Sequence, residues 1–300
     1  MLMAQIFSKK TGDAEVGLPG DHQGAMEDHC QLSDLEFSKF SRLIYDVAGI
    51  NLQPVKKTML DGRLRRRLRA VGVSSFAEYF KYLQTPEGQE REMVLMLDAV
   101  STNKTDFFRE AKHFDLLTGQ VLPALMRKNR QIRIWSAGCS TGEEPYTLAM
   151  VMEEFCESHK NLGYSILATD LSTDVLAKAR LAIYEDSKIE PVPTTYRYKY
   201  LLRGEGSRRG YHRVAPRLRR KVNFQRLNFM DEHFAINTEM DIIFCRNVII
   251  YFDQQTQAAL FEKFYRQLAP GGYLFIGHSE SLHEIDGKMR RLGPTVFQKK

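Results

Sequence analysis

Apolar positions fall at a helical period from Ser33 onward, and the pattern changes character once along the chain. Leu35, Phe37, Phe40, Leu43, Ile44 and Val47 form a stripe mostly three or four residues apart that ends near Gly49. Ahead of it, Ser33-Asp34-Leu35-Glu36 has the form of a capping box, in which the serine and the glutamate each accept the other's backbone N–H. A second predicted helix carries an arginine cluster between residues 56 and 69, with Leu64 and Leu68 on the side that packs. A third starts after Ser74-Ser75 with Phe76, Tyr79, Phe80 and Leu83, and a fourth follows Pro86. Residues 1–30 hold Gly12, Gly17, Gly20 and Gly24 among polar residues with no apolar period, so a flexible tail is expected there.

After Pro123, short apolar runs alternate with helical patterns, as in a parallel sheet covered by helices. Candidate strands occupy residues 132–136, 165–169, 222–225, 241–245 and 273–276, with a last one near 295–298. Helices are expected over 144–157, 173–182 and 255–268, the last stopped by Pro270-Gly271-Gly272. The expected organisation is a helical domain over 31–118 followed by an α/β domain over 119–300. Residues 190–221 interrupt the strand and helix alternation and are expected to form an inserted subdomain.

Composition narrows the class. With 300 residues, 43% of them hydrophobic and only 10 prolines, the chain can bury a core, which excludes wholesale disorder and a collagen-like structure. Its longest apolar runs, such as residues 248–252, fall far short of the roughly 20 needed to cross a bilayer. The start, MLMAQIFSKK, lacks the form of a secretory signal, so a cytoplasmic location without membrane insertion is expected. Cys30, Cys139, Cys156 and Cys245 include no Cys-x-x-Cys pair, and no metal is expected. The formal charge of +6 conceals a segregation: residues 56–69 carry +6, residues 197–226 carry +10, and the remainder carries −10. Such concentration suits an anionic partner.

The strongest local feature is the small-residue turn from Trp135 to Pro145, which lets a ligand approach the backbone at the end of a predicted strand. The next strand ends at Asp170, placed either to accept the hydroxyls of a nucleoside ribose or to cap the helix that follows. Residues 138–142 also read Gly-x-Ser-x-Gly, with Asp170 and His278 following in the order of hydrolase triads. The acidic pair Glu143-Glu144 directly after that turn disfavours an oxyanion there.

Several segments together resemble the chemotaxis receptor methyltransferases of the CheR type: STNKTDFFRE (101–110), WSAGCSTGEEPYTLAM (135–150), ATDLS (168–172), FCRNVIIYFD (244–253), LAPGGYLFIGHSES (268–281) and GPTVF (293–297). The resemblance runs from about residue 33 to the end. It implies a small all-α N-terminal domain, then a Rossmann-like α/β domain that binds S-adenosylmethionine and bears a small antiparallel β insertion. The implied activity is methyl transfer to receptor glutamates, giving methyl esters and S-adenosylhomocysteine in chemotactic adaptation. Implied cofactor contacts are Asn103, Thr105, Arg109, Glu143, Asp170, Asn228, Phe229, Asn247 and Val248, with Arg109 and Tyr251 at the transfer site. Arg63, Arg66 and Arg67 would meet the receptor methylation helices. The loop containing Gly204, Gly206 and Gly210 resembles that of members tethered to a receptor C-terminal pentapeptide. The alternatives are a nucleic-acid methyltransferase, disfavoured by Arg246-Asn247-Val248-Ile249 where an Asn/Asp-Pro-Pro-aromatic motif would stand, and a receptor-binding module without catalysis. No nucleic-acid partner is expected.

Overall fold

In a computed structural model, the residues described are 31–127, 131–280 and 287–300. The expected tail over 1–30, Cys30 and Ser281 lie outside them. Four helices open the described chain: α1 (Asp34–Ala48), α2 (Lys57–Val71), α3 (Phe76–Leu83) and α4 (Met93–Val100). The capping box forms at α1, Glu36 N–H donating to Ser33 Oγ and Ser33 N–H to Glu36 Oε2. Gly49 ends the helix in the left-handed region at φ 71°, a conformation that costs glycine little. Phe40 of α1 packs on Phe76, Tyr79 and Phe80, while α2 turns Leu60, Leu64 and Leu68 inward.

Short helices α5 (Lys112–Leu116) and α6 (Leu122–Leu125) lead into the α/β part. In chain order it contains β1 (Gln131–Ala137), α7 (Glu143–Ser158), β2 (Gly163–Asp170), α8 (Thr173–Leu181), β3 (Ile183–Glu185), α9 (Asp186–Ile189), α10 (Thr194–Tyr200), β4 (Leu201–Arg203), β5 (Tyr211–Val214), α11 (Pro216–Arg219), β6 (Val222–Arg226), β7 (Met240–Cys245), α12 (Gln254–Gln267), β8 (Leu268–Ile276), β9 (Met289–Gly293) and β10 (Val296–Lys299). Seven strands form one sheet in the order β6-β2-β1-β7-β8-β10-β9, parallel except where β10 pairs with β8 and β9. Alternate strand residues feed two cores. Ile242, Phe244, Tyr273 and Phe275 face the α7 side, and Ile243, Cys245, Leu274 and Ile276 face the α12 side. With both faces covered, β7 is buried at every position, and from Ile242 to Cys245 it reads as a continuous apolar run.

The second sheet is antiparallel in the order β3-β5-β4. It begins at Ile183, ahead of the expected start of the insertion at 190. Ala182 takes a left-handed conformation at φ 54° and turns the chain directly from α8 into β3. A three-residue strand has too little length to show an alternation.

Candidate functional site

A cavity of about 370 Å³ opens at the carboxyl ends of β1, β2 and β7 and is covered by parts of the helical domain. Asn103, Thr105, Arg109, Asp170, Asn228, Phe229, Asn247, Val248 and Tyr251 all line it. Ile50, Asn51, Leu52 and Met59 line it from the helical side. That side is fastened by the Asn228 amide donating to Val47 O at 2.6 Å, Asn51 N–H to Tyr251 O at 2.9 Å, and Tyr45 Oη to Asp253 at 2.6 Å.

Glu143, also expected at the cofactor, opens α7 beside the cavity without lining it. Glu144 lines the cavity, whereas buried Glu143 accepts from the Thr141 hydroxyl at 2.6 Å. Burial pushes the Glu143 carboxyl above the usual range, against the Thr141 hydrogen bond. One helical step of about 100° separates the two side chains.

The small-residue turn is folded against Asp170. Gly138 stands at φ 86°, and a Cβ there would enter the Val248 side chain, so the turn packs directly against Val248. Asp170 Oδ2 accepts the Ser140 N–H at 2.8 Å and Oδ1 the Ser172 N–H at 3.0 Å. Burial raises its pKa, and those N–H bonds oppose the rise. The helix that follows is capped by other groups: Ser172 Oγ accepts from Val175 N, and Asp98 of α4 accepts from Thr173 N at 2.9 Å.

A hydrolase triad is not assembled. Ser140 Oγ donates to Asn103 O at 3.1 Å, Asp170 is occupied by backbone donors, and the His278 ring lies against His113 at 5.2 Å between centroids.

Residues 101–110 form a strap over the strand ends. Asn103 O takes the Ser140 hydroxyl, Phe108 N–H donates to Thr147 Oγ1, Arg109 donates to Lys104 O, and Arg109 O accepts from Arg246 at 2.6 Å. Arg246, with its side chain 2% exposed, also pairs with Glu144 at 2.8 Å, and Glu144 accepts from Ser136 Oγ at 2.7 Å. Glu280 holds the neighbouring segment, accepting backbone N–H groups of Gly277, Asn247 and Ile249. Arg246, Glu144 and Glu280 have no assigned contact at the site in the sequence reading, although all three sit inside its quoted motifs.

Glu110, His113 and His278 bring ligand atoms within 4.8 Å of one another. Arg246 occupies the space a cation would need, donating to His113 Nδ1 at 3.3 Å and standing 3.7 Å from Glu110. His113 Nδ1 also stands 3.3 Å from Glu110 Oε2, and Nε2 faces Thr295 Oγ1 at 2.7 Å. Burial first, and Arg246 second, push the His113 pKa down to about 4 from 6.5. The unfolded chain therefore binds the extra proton between those values, and stability falls as pH falls from about 6.5 towards 4. Urea unfolding across that window should show a steeper pH slope in the wild type than in His113→Gln.

The predicted arginine face divides. Arg63 donates to Val100 O and Ser101 O at 2.6 and 2.8 Å, and Arg67 makes a two-pronged pair with buried Glu92, which Tyr79 also contacts. Both therefore hold the helical domain together, and Arg66 remains exposed beside Arg69. In the small sheet, Gly204 N–H donates to Tyr211 O at 2.8 Å, while Gly206 and Gly210 take φ of 58° and 89°.

Comparison with known proteins agrees with this architecture. Residues 35–101 match the family model described as CheR methyltransferase, all-alpha domain, and residues 103–297 match CheR methyltransferase, SAM binding domain. The chain is 42% identical over 270 residues to the chemotaxis protein methyltransferase of Borreliella burgdorferi, covering 88% of this chain and 94% of that one. It is 39% identical over 262 residues to chemotaxis protein methyltransferase 2 of Pseudomonas aeruginosa, covering 87% and 92%. With the Escherichia coli chemotaxis protein methyltransferase it shares 37% over 272 residues, covering 91% and 93%. A two-part match over nearly all the described chain, on a sheet whose strand ends carry the motif residues, establishes that this chain belongs to the CheR methyltransferase family and is an S-adenosylmethionine-dependent methyltransferase.

Proposed function

We propose that the protein transfers a methyl group from S-adenosylmethionine to glutamate carboxylates of chemoreceptors, yielding glutamate methyl esters and S-adenosylhomocysteine. The observation that carries this reading is the cavity at the strand ends, lined by nine of the ten residues the resemblance assigns to cofactor binding or methyl transfer. The cavity suits the cofactor. Asn247 Oδ1 is buried without a hydrogen-bond partner among the described residues, an acceptor available to a ligand amino group. Asp170 at the end of β2 would hold the ribose, and Glu143 at the start of α7 would pair with the cofactor's ammonium.

When bound, S-adenosylmethionine supplies an electrophilic methyl on a sulfonium. A glutamate side chain ordinarily titrates at about pH 4.3 and is already ionised at neutral pH, so no general base is required. The protein's work is to position the carboxylate in line and exclude water. Arg109 and Tyr251 line the cavity and would orient that carboxylate; the Tyr251 hydroxyl has no hydrogen-bond partner among the described residues. The strap over 101–110 and the helical domain cover the site from solvent.

The exposed Arg66 and Arg69 would meet the acidic receptor helices by charge complementarity. The edge strand β4, with its glycine loop, would take the receptor C-terminal pentapeptide by strand addition. Replacing Arg66 and Arg69 together by glutamate should raise KM for a receptor fragment by about tenfold while leaving S-adenosylhomocysteine affinity unchanged. The effect should shrink at high salt. An unchanged KM would remove α2 from the docking surface.

A further inference from the structure

A second cleft, of about 460 Å³, shares no lining residue with the cofactor cavity. Three arginines from two elements converge on it, Arg180 from α8 and Arg219 and Arg220 from the end of α11, and no carboxylate lines it. Two of them are held by neutral carbonyls: Arg180 Nη2 donates to Phe224 O at 2.9 Å, and Arg219 Nε to Val214 O at 3.1 Å. Each keeps further N–H donors of its fork for another acceptor. Arg220 is exposed, and its guanidinium has no hydrogen-bond or ion-pair partner among the described residues.

The floor of the cleft is aromatic. Tyr146 and Phe224 meet edge to face at 5.8 Å between centroids; Tyr146 is buried with its hydroxyl on Ala179 O, and half-buried Phe224 offers the ring surface. Planar guanidinium forks match phosphate oxygens in bidentate geometry, and an aromatic floor offers a stacking surface to a flat base. The volume lies within the range of small-ligand sites, and the arginines form a compact group without the extended track a polymer would need. We propose that this cleft binds an anionic nucleotide, its phosphates on Arg180, Arg219 and Arg220 and its base against Phe224.

The test is equilibrium dialysis of the full chain with labelled GTP, excess S-adenosylhomocysteine blocking the cofactor cavity, and inorganic tripolyphosphate as the arm lacking a base. Saturable GTP binding is expected, weakened about tenfold in Arg180→Ala and in Arg220→Ala with S-adenosylhomocysteine affinity unchanged. Tripolyphosphate should bind more weakly than GTP. Arg220 supports no other described group, so its variant keeps the fold and carries the test even if Arg180→Ala does not. Absence of saturable GTP binding, or binding indifferent to Arg220→Ala, would overturn the site. Tripolyphosphate binding as tightly as GTP would overturn the assignment to a nucleotide.

Discussion

Asp170→Ala is expected to weaken S-adenosylmethionine binding by at least about 100-fold, because two charge-assisted hydrogen bonds to ribose hydroxyls would be lost at about 1.5–3 kcal/mol each. The carboxylate also organises the site before any ligand arrives. Its two oxygens accept the N–H groups of Ser140 and Ser172, joining the small-residue turn to the start of α8. Alanine leaves both donors buried and unpaired, and Ser140, already at φ 48°, loses the contact that fixes it. Isothermal titration with S-adenosylhomocysteine measures the loss. Asp170→Asn keeps the shape but offers one acceptor oxygen where the aspartate offers two, and should fall between the wild type and alanine.

Arg246→Met is expected to cost about 3–5 kcal/mol of folding stability, the usual result of leaving one member of a buried ion pair unpaired. Glu144 would then sit 8% exposed with only Ser136 Oγ as partner, and Arg109 O would lose its donor. The strap over 101–110 should loosen as well, which links this stability effect to cofactor affinity. Denaturant unfolding gives the first quantity. The double variant Arg246→Met/Glu144→Met should recover part of the loss, since removing both charges removes the orphan.

The elements that were legible are those whose signal is local. The capping box at Ser33, the apolar run over 273–276 in β8 and the glycine stop after α1 each depend on residues a few positions apart, and each forms. The strand β9 was missed because Met289-Arg290-Arg291 occupies a sheet edge, where solvent covers one side and apolar alternation is not required. Nine of the motif residues reach the cavity wall, and Glu143 lies beside it at the start of α7. Arg63 and Arg67 looked like a free basic face. Their partners, Val100 and Glu92, come from elements 37 and 25 residues away. Arg246 with Glu144 and Glu280 with Asn247 are likewise long-range pairs, 102 and 33 residues apart.

The central claim is that a methyl group moves from S-adenosylmethionine to receptor glutamates. Purified chemoreceptor cytoplasmic fragments should be incubated with the protein and methyl-labelled cofactor, then exposed to mild alkali. The account predicts label on receptor glutamates that alkali releases, and loss of that label with Arg109→Ala. Label that survives alkali, or tight cofactor binding with no label on any receptor fragment, would contradict it.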